Sequence, residues 1–222
     1  MKPLVILGAG GYAQEVLWVV DEINTSSPTW DFLGFVDPAK PQRKGSVLYD
    51  RPVLGGFDDV NHLPKDTCFV SGIGNPQDRM YECLRAEERG WTAATLVYPG
   101  VVIAKNVEIG PGTVIGAGCI LAPYARIGRH CALNLNVVIG HNTLLGDFSV
   151  LSPGVCITGN AVLEERVFVG TNATVYLGRR LGAGSSLAAN SFLLTDLPQG
   201  QSAIGVPAKV FARATGAGIC KS

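Results

Sequence analysis

The sequence predicts a small α/β domain with a parallel sheet, followed by an all-β column of parallel strands. Three observations carry that prediction. From Val97 to Leu193 every sixth residue is Val, Ile or Leu, seventeen positions without a miss. Before that repeat, short apolar runs end in glycine turns and lead into segments with helical spacing of apolar residues. Only 16% of the chain is charged while 47% is apolar, and the 28 glycines are scattered rather than clustered, which is the composition of a compact protein and not of a disordered one.

Taken in order, residues 2–7 form an apolar run that stops at Gly8-Ala9-Gly10-Gly11-Tyr12-Ala13, after which Val16, Leu17, Val19, Val20 and Ile23 recur at helical spacing. That is strand, glycine turn, helix. A second strand is expected over 32–36, ending at Asp37, where an acidic side chain often meets a ribose or base in such units. A third is expected over 67–73, ending in Gly74-Asn75-Pro76 and leading into a helix over 77–89. Alternating β and α of this length gives a small, Rossmann-like parallel sheet. With fewer than 100 residues before the repeat there is no room for the second half of a dinucleotide site, so a mononucleotide suits the glycine turn better than NAD, with backbone N–H groups approaching phosphates at a helix N-terminus.

In the repeat, the residue two before each aliphatic position is Val, Thr, Ala, Cys or Ser, with Arg179 as the exception. Side chains two apart in a strand share a face, so both positions point inward and the remaining two residues of each six turn a corner. Three such units close a triangular coil of 18 residues. Charged residues are sparse from 97 to 192, so an outer face is expected to be covered, and the segments on either side of the repeat are expected to cap its ends. A homo-oligomer packing column against column would meet both needs. The expected divisions are residues 1–94, 95–195 and a Pro/Gly-rich tail, 196–222.

Eighteen basic against eighteen acidic side chains leave no net charge, so nothing supplies the basic field that nucleic-acid binding requires. The first apolar run is too short for a signal peptide or a spanning helix, and a cytoplasmic, non-membrane protein is expected. Six cysteines form no CxxC pair and read as core or stray thiols; neither a metal site nor a disulfide framework is expected.

The stretches ILGAGGYAQEV (6–16), GFVDPAK (34–40), GIGNPQDR (72–79), NLNVVIGHNTLLGDFSVLSPG (134–154) and GVPAK (205–209), with the seventeen hexapeptides between, together resemble the bacterial nucleotide-sugar acyltransferases of the left-handed β-helix superfamily. The resemblance is closest to the N-acetyltransferases of bacillosamine and perosamine synthesis and the related sialic acid O-acetyltransferase group. It implies a left-handed winding and a trimer with active sites between subunits. It also implies an amino domain that holds a nucleotide-linked sugar and a column that holds acetyl-CoA, without a metal. By that match Gly8, Gly10 and Gly11 lie against the diphosphate, Asp37 and Lys40 lie near the base or ribose, and Tyr12, Gly74 and Asn75 belong to the same nucleotide-sugar site. The family's histidine falls on His141, and Lys209 falls near the adenine or its phosphates.

Acyl transfer to a sugar amine needs a group to take the amine proton and a donor for the oxyanion. His141, at a corner, is the expected base; His130, also at a corner, and His62 are expected to be ordinary surface residues. The backbone N–H of Gly74 is the expected oxyanion donor, since a glycine past a strand end admits a close approach. Asn142 stands where relatives usually carry Asp or Glu, and Val150 where some carry a second histidine; an amide orients the ring but adds no charge. Asp147 is a candidate assisting carboxylate. A pantetheine track is expected along small corner columns, with Gly159 and Asn160 one coil after His141 and Asn142, and Ala189 one coil after Thr171. Cys119 and Cys131 occupy inward slots, so direct transfer without an acyl-enzyme is expected. The expected reaction is acetyl transfer to the C4 amine of a nucleotide-linked deoxyamino sugar for O-antigen or surface-glycan synthesis. The alternatives are sugar O-acetylation and a non-catalytic nucleotide-sugar-binding homologue. A gamma-type carbonic anhydrase would need three interface histidines, and the column offers only His130 and His141.

Overall fold

The computed structural model describes residues 1–211. The first part contains β1 (Lys2–Leu7), α1 (Gly11–Ser26), β2 (Trp30–Val36), β3 (Val47–Leu48), β4 (Arg51–Gly55), β5 (Cys68–Ser71), α2 (Pro76–Glu88) and β6 (Thr92–Ala93). They form one sheet in the order β3-β4-β2-β1-β5-β6, parallel throughout except for the β3–β4 pair. β1 is central because Leu4, Val5, Ile6 and Leu7 are all apolar and all fully buried, half facing each side of the sheet. α1 lays Ala13, Val16, Leu17 and Val20 on one side. It packs so near the end of β5 that a Cβ on Gly72 would sit 2.7 Å from Ala13 Cα. The chain runs from β1 to β2 on one side and returns to β5 on the other, so the loops after β1 and β5 diverge and leave a crevice at the strands' carboxyl ends.

Residues 96–193 form seventeen two-residue strands spaced six apart, and each of the first fourteen pairs in parallel with the strand 18 residues later, as in Val114 with Ala132 and Ile115 with Leu133. Three sheets result, one per face of a triangular prism. The periodic aliphatic residue is the second of every strand, and from Ile115 to Leu193 all are buried in one continuous core. One corner residue per unit adopts the left-handed conformation. The non-glycine members from Asn106 to Asn190 have φ between 52° and 63°, and six of those ten are asparagine, the side chain that best tolerates this region. The glycines that follow several aliphatic positions have a separate cause: a Cβ on Gly140 or Gly170 would lie 2.5 Å from the backbone nitrogen of the next coil.

The three faces differ. The face carrying Leu96, Val114, Ala132 and Val150 is buried, with Leu96 and Val114 packed into the α1 core and neighbouring Phe148 packed into the cluster of Phe69, Cys83 and Trp91. The expectation that the amino domain caps the prism's end is therefore corrected: it covers a flank, and Ile103, in the first coil, stays 41% exposed. The other end is closed by Leu197 and by a hairpin, Ser202–Gly205 with Ala208–Phe211, whose Ala203 pairs with Leu187. On the second face Val102 and Ile120 are exposed; the third mixes Glu108, Arg126, Leu144 and Arg180.

The expectation that His130 is a surface residue is wrong. It is fully buried, stacked between Phe69 and Phe148 at 5.6 and 5.3 Å, with Nε2 2.9 Å from Glu87 of α2. A corner points away from its own prism, but here the amino domain occupies that outside. Burial pushes the imidazole below its ordinary pKa, partly offset by Glu87. Beside it the fully buried Arg79 donates Nε to His130 O at 2.6 Å, Nη1 to Ile73 O at 2.8 Å and Nη2 to Cys131 O at 3.3 Å, joining the loop before Gly74 to the prism.

Candidate active site

At the crevice, Gly8 takes φ +86° and donates its N–H to Val36 O at 2.7 Å, which turns the chain sharply out of β1. Gly10 and Gly11 have open space where a Cβ would be, and α1 starts without a side-chain cap or an acidic residue in its first turn. Its leading N–H groups and the positive end of its dipole thus face the crevice. Across it, Gly74 also has open space, while the Asn75 side chain caps α2 by accepting from the amides of Gln77 and Asp78. Asp37 is buried at the end of β2 with Oδ2 3.4 Å from Arg43 Nη1, and Lys40 is exposed on the turn between them. The Tyr12 ring lies under Arg79, and its hydroxyl is buried without a protein partner, which pushes the phenol up to about 12. The Tyr12 backbone stands at the start of α1, while its side chain is turned toward Arg79. Arg43 was not singled out in the sequence, because it lies in a polar stretch, PAKPQRKGS, without periodicity.

His141 stands exposed at the corner between the second and third faces. Its ring lies over Gly159, one coil on: a Cβ there would come within 2.6 Å of Cε1. Asn142 occupies the left-handed corner position at φ 56°, and its side-chain amide meets His141 Nδ1 at 3.1 Å. The backbone conformation thus accounts for an asparagine at 142. The atom facing Nδ1 is the amide nitrogen, which donates to Nδ1 and leaves the ring proton on Nε2; a base needs the amide flipped, so that Nδ1–H donates to its oxygen and Nε2 keeps its lone pair. Val150 is buried on the face that the amino domain covers, a place where a solvated second imidazole has no room. Asp147 is held by Arg129, whose backbone and Nε bond it at 2.9 and 3.2 Å.

Gly8, Gly10, Gly11, Asp37, Lys40, Gly74 and Asn75 gather at one crevice of the amino domain. His141, Asn142, Gly159 and Asn160 gather at one prism corner, and Thr171 and Ala189 lie exposed on the corner at the other edge of the second face. Within one chain the crevice and His141 do not meet, because the amino domain docks on the face opposite the His141 corner. Lys209 is exposed on the closing hairpin, paired with Ile204. Cys119 and Cys131 are core thiols, pushed up to about 11 and about 12 by burial, and are unsuited to nucleophilic work. Cys220 and the rest of residues 212–222 lie outside the described residues. No described helix is long and apolar enough to cross a membrane.

A small α/β domain joined to a hexapeptide-repeat prism is the fold this chain shares with solved sugar N-acetyltransferases, the class that the sequence resembles. Residues 3–81 match the family described as the PglD N-terminal domain. No curated protein sequence matches. Among solved structures, the acetyltransferase domain of PglB from Neisseria gonorrhoeae FA1090 in complex with acetyl coenzyme A is 25% identical, with a TM-score of 0.84 over 95% of this chain and 99% of that one. PerB from Caulobacter crescentus, in complex with CoA and GDP-perosamine, is 27% identical, with a TM-score of 0.84 over 95% and 98% of the two chains. WeeI from Acinetobacter baumannii AYE shares the fold at 23% identity, with a TM-score of 0.86 over 95% of this chain and 100% of that one.

Proposed function

We propose that this chain transfers the acetyl group of acetyl-CoA to the C4 amine of a nucleotide-linked deoxyamino sugar, in a homotrimer, as a step toward O-antigen or other surface-glycan sugars. The observation that carries the reading is His141: an exposed imidazole, oriented through Nδ1 by Asn142 and seated over Gly159, on a prism whose amino domain presents a nucleotide-type crevice. The similarity to structures that contain acetyl-CoA, or CoA with GDP-perosamine, supports both substrates.

In this reading residues 1–94 hold the nucleotide sugar, 95–195 hold acetyl-CoA, and the tail from 196 brings Lys209 to the adenine end. The amine lone pair attacks the thioester carbonyl while His141 Nε2 takes the amine proton. The oxyanion accepts from the Gly74 N–H, and collapse breaks the C–S bond, with CoA leaving as the thiol once that proton is passed on. Pantetheine runs beside Gly159 and Asn160 on one chain and Thr171 and Ala189 on its neighbour. Chains meet through the exposed apolar second face, which brings one chain's crevice to another chain's His141.

Thiol release from acetyl-CoA, followed with UDP-, GDP- and dTDP-linked 4-amino sugars, tests the reading. One of these is expected to be turned over, and His141→Ala is expected to lower kcat by about 10²–10⁴-fold with little change in KM. No turnover with any of them, or a His141→Ala enzyme of unchanged kcat, overturns it.

A further inference from the structure

We propose that Arg43 selects nucleoside diphosphates over nucleosides by moving its guanidinium from Asp37 to the diphosphate, which frees the Asp37 carboxylate for the ribose or base. The inference rests on the nucleotide-sugar reading and assigns a residue to that site. Arg43 Nη1 bonds the Ala9 carbonyl at 3.0 Å and reaches Asp37 Oδ2 at 3.4 Å. Ala9 lies inside the glycine turn, between Gly8 and the open positions Gly10 and Gly11. A bare carbonyl there would repel phosphate oxygens, and the guanidinium both masks it and places a positive charge where they would come. Nε and Nη2 make no bond among the described residues, so the planar fork has donors to spare for a bidentate grip.

The surrounding turn is already fixed. Arg43 N–H donates to Lys40 O at 3.0 Å, and Ser46 Oγ donates to Arg43 O at 2.6 Å, so the exchange needs only side-chain rotation. The Arg43 side chain is 31% exposed and held through Nη1 alone, whereas Asp37 is only 8% exposed and anchored at the end of β2. A carboxylate so buried gains when the loss of one cation is matched by donors from a sugar or base. The adjacent Lys44 is not equivalent, because it holds Asp59 at 2.8 Å on the far side of the turn.

Titration calorimetry of the full chain with UDP, GDP and dTDP, and with uridine, guanosine and thymidine, reads the selection. Arg43→Gln is expected to weaken the preferred diphosphate about tenfold or more and its nucleoside less than twofold. Arg43→Lys, which keeps the charge without the fork, is expected to fall between, and Lys44→Gln to leave the ratio unchanged. Equal losses for diphosphate and nucleoside, no loss in Arg43→Gln, or a loss in Lys44→Gln matching that in Arg43→Gln overturns the inference alone. A wild-type chain that binds none of the three diphosphates overturns the nucleotide-sugar reading together with it.

Discussion

In the proposed chemistry Gly159 matters through the hydrogen it carries in place of a side chain. The His141 ring rests in the space where a Cβ would stand, which would come 2.6 Å from Cε1 and closer still to Nε2, so even a methyl group displaces the imidazole. The ring is exposed and turns easily, so Gly159→Ala is expected to cost less than about 1 kcal/mol of stability. Its effect falls on positioning, where a shift of about an ångström costs on the order of 100-fold in rate. The expected outcome is a steep fall in kcat with an unfolding midpoint close to wild type; retained kcat would show that the ring position over Gly159 is not the working one. Asn142 illustrates the same level of control. Its left-handed φ of 56° and its bond to Nδ1 use one residue type for two needs, so the missing carboxylate is a consequence of the ladder of corner asparagines and not in itself a sign of lost activity.

α2 is the element that couples the two halves. Arg79 and Glu87 both project from it toward the prism: Arg79 holds two prism carbonyls and that of Ile73 in its own domain, and Glu87 meets the His130 ring. His130 faces Glu87, with Arg79 and Arg129 nearby, and folding drives it toward the neutral form. Below the unfolded value of about 6.5 the unfolded chain therefore binds more protons than the native one, so the stability that His130 supports is present above that pH and is lost as pH falls toward its depressed folded value. The thermal midpoint is expected to drop between about pH 7 and pH 5, and to drop less in His130→Asn, which suits the left-handed corner and cannot titrate. Equal slopes for the two proteins would remove His130 as the cause. The period of six made all seventeen prism strands legible, since each strand contributes one buried aliphatic residue at a fixed place. β3, β4 and β6 were not legible: they are short, lack alternation, and in β4 include Pro52 and Gly55. His130 was misread because spacing tells that a residue leaves its own prism, not what waits outside.

At the scale of the molecule, the proposed site is divided by the way the chain docks on itself. The crevice of Gly8–Gly11 and Gly74 belongs to a domain seated on the first face, whereas His141 stands on the corner between the other two. The residues of each half were legible locally, from a glycine turn and a histidine in a repeat, but no pattern within one chain reveals that the halves face apart. The uncovered second face, with Val102 59% and Ile120 44% exposed, is the surface through which a second chain would bring its crevice to this histidine. Two inactive chains test the arrangement. Gly10→Glu puts a carboxylate into open space at the helix start, where the extended backbone of φ −98° accepts any side chain, and it repels the diphosphate while leaving His141 intact. His141→Ala leaves the crevice intact. Each alone is expected to be inactive, and co-expression is expected to restore a sizeable fraction of wild-type turnover, because a mixed oligomer pairs the good histidine of one chain with the good crevice of another. If each site were built from a single chain, every chain in the mixture would carry one lesion and none would work, so silence from a mixed oligomer of confirmed composition would refute the shared site.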